Sequence, residues 1–279
     1  MAKNRACEVK PEQKAPEKPL KRIAVVGCSD TKILAPYDDT SWDIWAMNNA
    51  FVHTKRHTKW FEIHPIKYDK GKFYRRELIK PGVFKWADNF RGQPMGDYMQ
   101  SLANLNVPVF MQKHWDVVPM SVEYPLQEIV AKFGNYFTNS VSYMIAMAIK
   151  EIIESGGKGE IGCWGVDMAT QSEYGPQRPS CEFFLGIAAG MGIPITIPAE
   201  ADLLKTRFLY GFQEREQVAW EAKVMSILHA MEKRRNDAQA KFELTRNQIQ
   251  QYMGAEQAIK EVQRIWSNLQ DPKIWRDAS

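Results

Sequence analysis

The sequence predicts an α/β fold: a parallel sheet flanked by helices, followed by a C-terminal helical hairpin arm. Three observations carry this. Ile23-Ala24-Val25-Val26-Gly27 is an apolar run without polar alternation, the mark of a strand buried on both faces of a parallel sheet. Two further strand-like runs, Trp42–Met47 and Thr58–Ile63, follow at short intervals, and each also stops at polar residues. From Gln213 onward the composition shifts to Glu, Gln, Lys, Arg and Ala, with no Pro until Pro272.

The elements read in order as follows. Residues 1–20 are polar with three prolines, a disordered tail. Residues 21–210 form the α/β domain and 211–279 the arm. The first strand ends in Gly27-Cys28-Ser29-Asp30-Thr31, the second at Asn48-Asn49, the third at His64-Pro65. Residues 66–106, rich in Lys, Arg, Tyr, Trp and Gly, show no sustained period; loops and short helices covering a site are expected. Val107–Met111 reads as a strand and Pro125–Phe133 as a short helix. Thr138–Ser155 is a buried helix capped by Thr138, Asn139 or Ser140 and ended by Gly156-Gly157. Glu160–Asp167 is a strand ending in an acid, and Ser180–Met191 a helix. Ile193–Ile197 is a last strand, and Ala199–Tyr210 a helix. In the arm, Trp220, Val224, Ile227 and Met231 step by 4, 3 and 4, and Ala238, Phe242, Thr245, Ile249 and Tyr252 by 4, 3, 4 and 3. These seams, offset by a stutter, predict a long helix and a second one from about Ala255 to Leu269.

Composition narrows the classes. At 279 residues, 44% hydrophobic and 25% charged, the chain is of ordinary globular type. No run approaches the ~18 apolar residues of a membrane helix. No signal-peptide core opens the sequence, and the four cysteines form no CxxC pair. A cytoplasmic protein without a metal site or disulfide framework is expected. A net charge of +4 suits an anionic ligand and is too small to argue for nucleic acid. The basic cluster Lys233-Arg234-Arg235 offers nucleic acid a contact on the arm, a weaker third reading, since such runs are usually a solvated helix face.

In open parallel sheets, ligands bind outside the carboxyl ends of the strands. Gly27, Ser29, Asn48, Asn49, His64 and Asp167 all follow predicted strands, so they are expected on one edge. The turn after strand one is neither a GxGxxG fingerprint nor a P-loop. Its backbone N–H groups, with the Ser29 and Thr31 hydroxyls, are expected to face a phosphate. Asp38-Asp39 sits in a turn-like stretch where Asp is common, and no metal is inferred from it.

The ordered series IAVVGCSDTK, WDIWAMNNAF, TKWFEIHP, TNSVSYMIAMAI and IGCWGVDM resembles the bacterial lipooligosaccharide sialyltransferases and the related MptE-like Rossmann proteins. The resemblance covers about residues 22–204 and implies a Rossmann-like domain holding a cytidine nucleotide sugar. By resemblance the ligand falls to Gly27 and Ser29, to Asn49 or Asn48, and to Ser140 with Asn139. His64 stands where the family has a second Asn, and Tyr174 is the nearest match to a phosphate-binding tyrosine. The family's general base is a His in the loop before the next helix. Here no His lies between His114 and His229, and that loop carries Glu173, Tyr174, Gln177 and Arg178 instead. A small α/β domain with a helical arm also resembles phage-encoded proteins.

A glycosyl transfer needs a site for the leaving phosphate and a base for the acceptor hydroxyl. Arg178 and Tyr174 suit the phosphate, by charge and by hydroxyl. Glu173, Asp167 or His64 suits the base. For Asp167 the alternative is a carboxylate bonding loop N–H groups, and for His64 a structural hydrogen bond. Two classes follow: a nucleotide-sugar-dependent glycosyltransferase, or a non-catalytic binding and assembly protein that oligomerises through its C-terminal helices.

Overall fold

The computed structural model describes residues 20–80, 82–168, 175–206, 209–212 and 216–269. The predicted tail, Leu20 apart, and the last residues of the arm lie outside these. The elements run β1 (Lys21–Val26), β2 (Trp42–Met47), β3 (Lys59–Glu62), β4 (Ile66–Asp69), β5 (Lys72–Lys80), β6 (Val83–Ala87), β7 (Asn89–Phe90), β8 (Gln93–Pro94), α1 (Met95–Ala103), β9 (Val109–Met111), β10 (Ser121–Glu123), α2 (Leu126–Phe133), α3 (Ser140–Glu154), β11 (Gly159–Trp164), α4 (Arg178–Gly190), β12 (Ile195–Thr196) and α5 (Glu216–Leu269). The chain divides into two units after Thr206.

Seven strands form one sheet in the order β10-β9-β3-β2-β1-β11-β12, and every neighbouring pair is parallel. Chain order reverses between β1 and β11, where crevices open in such sheets. The apolar runs are continuous because both faces are covered. Ile23 and Val25 point to a core built with α2, α3 and α4. Ala24 and Val26 point the other way, against Ala35, Tyr37, Trp42 and Trp164. Trp60, Val109 and Met111 pack there against α1 through Met95, Tyr98, Met99 and Leu102.

Residues 66–94 differ from expectation. They form strands: a three-stranded antiparallel sheet, β4-β5-β6, and the β7-β8 hairpin. The turns explain it. Lys70 and Gly71 have φ of 49° and 80°, and Arg91 and Gly92 of 50° and 83°, the paired positive φ of two-residue hairpin turns. The strands alternate aromatic and charged residues rather than aliphatic and polar ones, so a hydrophobic-period reading passes over them.

Two other expectations are corrected. Among the described residues of 199–210 there is no helix. Asp202 N–H goes to Asp167 O at 2.8 Å, Lys205 Nζ takes Pro198 O and Ala199 O, and Leu204 sits at φ 55°. Tertiary contacts have claimed that backbone. The arm is one 54-residue helix rather than a hairpin. Gly254 costs about 1 kcal/mol inside a helix, and good helix formers on both sides carry the helix through it. Among the described residues no helix is long and apolar enough to cross a membrane.

The crevice edge depends on a close backbone approach. Gly27 N–H bonds Trp164 O at 2.8 Å, and Ser29 N–H bonds Gly165 O at 2.9 Å. A Cβ on Gly27 would stand 2.3 Å from Gly165 O. The obstacle is backbone, so Gly27→Ala is expected to cost about 1–3 kcal/mol and lower the melting temperature. A thermal melt matching the parent's would show that the two loops separate freely.

Candidate functional site

A cleft of about 600 Å³ opens at the carboxyl ends of β1, β2, β3 and β11. Of the residues picked from the sequence, Gly27, Ser29, Asn48, His64, Asn139, Ser140 and Asp167 line it. Asn49 does not; it precedes the short 3-10 turn Ala50–Val52. Arg178 does not either. Its Nε donates to Glu182 Oε1 at 2.7 Å and its Nη2 to Lys205 O at 3.2 Å, which ties the start of α4 to a loop. Glu173 and Tyr174 lie outside the described residues.

Several lining groups are already committed. In the β1 turn every second N–H, with the Thr31 hydroxyl, is used within the protein. Gly27 and Ser29 donate to the β11 loop as above, and Thr31 N–H reaches Asp167 Oδ2 at 3.3 Å. Asp167 also takes the Thr31 hydroxyl, whose oxygen accepts Gly165 N–H at 2.7 Å. Asp167 thus ties two loops. Asn139 caps α3, accepting Ser142 N–H at 2.9 Å and donating to Gln177 O at 2.8 Å. That cap leaves the first-turn N–H groups of Ser140 and Val141 beside the cleft, at the positive end of the helix dipole. Asn48, at φ 53°, holds Oδ1 out of solvent with no hydrogen-bond partner among the described residues.

Below the cleft lies a charged cluster that the sequence reading passed over. Glu62, the last residue of β3, is fully buried. His64 Nδ1 lies 2.7 Å from its Oε1, and Arg75 Nε 3.4 Å from the same atom. Tyr98 of α1 donates its hydroxyl to Oε2. Burial alone would raise the Glu62 carboxyl, but His64, Arg75 and these hydrogen bonds outweigh it and hold the group at about 2. Tyr98 moves the other way, pushed well up by burial and by the Glu62 charge. Arg75 is itself buried, its guanidinium 3.8 Å from the Phe90 ring centroid. The one signal in the sequence was a carboxylate inside Trp60-Phe61-Glu62, at a position the strand buries.

The antiparallel sheet supplies the cleft's cations. Arg76 and Arg91 line it, both are exposed, and neither pairs with a carboxylate among the described residues. Arg76 stacks at 4.1 Å on Phe84, another lining residue. Cys28 also lines the cleft. Burial pushes its thiol up, against the pull of Arg91 and Lys32. Among the described residues no three His, Cys, Asp or Glu side chains converge as metal ligands.

Comparison with protein-family models, with curated proteins and with solved structures finds no match. The site's chemistry has to speak for itself. It offers a cationic rim, a helix N-terminus, an unpartnered amide oxygen and an imidazole held by a buried carboxylate.

Glu62 makes acid stability testable. Its carboxyl stands at about 2 in the folded chain against an ordinary 4.5. A depressed group stabilises the fold above the unfolded value, and the contribution is lost as pH falls through the folded one. Unfolding titrations should therefore lose on the order of 2–3 kcal/mol between pH 4.5 and about 2. Glu62→Gln should flatten that loss while lowering stability at pH 7. An unchanged acid limb in the variant would remove Glu62 from the account.

Proposed function

We propose that the α/β unit, in a Rossmann-like arrangement, binds a nucleotide sugar in this cleft and transfers the sugar to an acceptor hydroxyl. One observation carries the reading. Phosphate-binding groups and an oriented imidazole face the same cleft, whose volume of about 600 Å³ lies within the range of small-molecule sites. Arg76 and Arg91 take the phosphate by guanidinium geometry, with the first-turn N–H groups of α3 behind them. They fill the role that sequence reasoning gave to Arg178. Asn48 offers an amide to the base or ribose. The resemblance selects cytidine.

His64 is the general base in this reading. Its Nδ1 stands 2.7 Å from both Glu62 Oε1 and Arg75 Nη2. In the tautomer whose Nδ1–H faces Glu62, Nε2 is the acceptor. It takes the acceptor's O–H proton as the acceptor oxygen bonds the anomeric carbon. The bond from that carbon to the phosphate oxygen breaks, and the nucleotide leaves with the electron pair. Calorimetry with CMP, UMP and CMP or UDP sugars tests binding. Arg91→Ala should weaken it by about 1 kcal/mol or more. His64→Ala should keep binding and lower turnover by about 10²–10⁴. No ligand binding below millimolar would sink the reading.

We also propose that α5 self-associates. It is about 80 Å long at 1.5 Å per residue. Phe242, Ile249, Tyr252, Ile259 and Trp266 are all exposed on it and extend one stepped seam. Such a seam buries itself against another helix. Light scattering on the full chain should give an oligomer, and Ile249→Glu with Ile259→Glu a smaller species. A monomeric parent at high concentration would refute this.

A further inference from the structure

We propose that the outer face of the β4-β5-β6 sheet binds single-stranded nucleic acid. The sheet has two unlike faces. The inner one is held: Arg75 sits on Glu62, and Phe73 packs on the α1 core. The outer one is set by the register. Lys67 pairs with Tyr74, Arg76 with Trp86, and Leu78 with Phe84, so these six side chains share a face. Phe84 is 49% and Trp86 43% exposed. Large exposed aromatics on an ordered sheet are a surface in want of a partner.

Charge decides which partner. On this face the register places Lys67, Lys72 and Arg76 against one acid, Asp69, which lies 4.0 Å from Lys67. Of the other cations in the sheet, Arg75 and Lys85 turn the other way, toward Glu62 and Glu77. The cations are interleaved with the rings. Lys67 Nζ lies 4.9 Å from the Trp86 ring centroid and 5.2 Å from that of Tyr74, and the Arg76 guanidinium lies 4.1 Å from Phe84. Rings that stack on bases, set among cations that meet phosphates, are the chemistry of single-strand binding. A protein interface core is depleted in Lys, and a neutral glycan needs the rings but not the charge. Arg76, Leu78 and Phe84 of this face also line the cleft, whereas Lys67, Tyr74 and Trp86 do not, so substitutions at Lys67 and Trp86 test this inference apart from the nucleotide-sugar reading.

The test is fluorescence anisotropy of the full chain with a labelled 20-nucleotide oligo(dT), from 50 to 200 mM salt. Binding should weaken as salt rises. Trp86→Ala should lose about five-fold or more in affinity at fixed salt, because a stacking platform is gone. Lys67→Ala should reduce the salt slope by about 0.7, one phosphate contact on a single strand. Both substitutions are on an exposed face, and circular dichroism checks that the variants fold. Mononucleotide binding in the cleft should not change. A heparin fragment of matched charge should compete poorly, having no bases to stack. The proposal is overturned if oligo(dT) does not bind at 50 mM salt or if Trp86→Ala binds like the parent. Equal competition by heparin, or preference for a neutral oligosaccharide, also overturns it.

Discussion

The buried Glu62 carboxylate is the interaction on which the rest of the site depends. It ends a central strand of the parallel sheet, yet its partners come from elsewhere: Arg75 from β5, Tyr98 from α1 and His64 from the following loop. One carboxylate therefore joins the parallel sheet, the antiparallel sheet and a covering helix. Taking two charges out of water is costly, and breaking such a pair by removing one partner costs about 3–5 kcal/mol. Here hydrogen bonds surround the charge from several sides, which is the condition under which burial is tolerated. The cluster fixes where the antiparallel sheet sits, and so where Arg76 faces the cleft.

The opposite wall is built largely from backbone. Gly27 and Gly165 approach so closely that neither admits a Cβ, and the loops are stitched by backbone bonds and by Thr31 with Asp167. This changes the meaning of the β1 turn. It looks like a phosphate cradle in sequence, but its Gly27, Ser29 and Thr31 N–H groups bond the β11 side. The free donors of the site come from the first turn of α3, which Asn139 caps only in part.

Much of this was legible in the sequence. Buried parallel strands announce themselves because a short, continuous apolar run between turn residues fits little besides a strand covered on both faces. Their polar stops give the ligand edge directly. Gly27, Ser29, Asn48, His64 and Asp167 were found that way, and Asn139 with Ser140 by the helix start and the resemblance. What escaped was set by contacts distant in sequence. Glu62 reads as an ordinary strand residue until Arg75 and Tyr98 are placed against it. Arg76 lies in a strand whose aromatic and charged alternation carries no hydrophobic period, and Arg91 in a hairpin turn. The Lys-Gly and Arg-Gly turns were the available clue. The arm differs in another way: a second helix was expected from about Ala255, but the Gly254 before it costs only about 1 kcal/mol, too little to end so long a helix.

The two sheets divide the labour by their physical constraints. A parallel sheet covered on both faces cannot carry charge in its interior, so its polar groups are confined to strand ends and are mostly used to hold loops. An antiparallel sheet needs only one packed face. Once Glu62 anchors the inner face through Arg75, the outer face is free to hold cations and aromatics at two-residue spacing. Arg76 and Phe84 sit where that face meets the cleft. The same register thus supplies the cleft's cationic rim and extends an aromatic and basic surface away from it. Lys67, Lys72 and Arg76 share one face of a small sheet beside the edge where the cleft opens at the parallel strands' carboxyl ends.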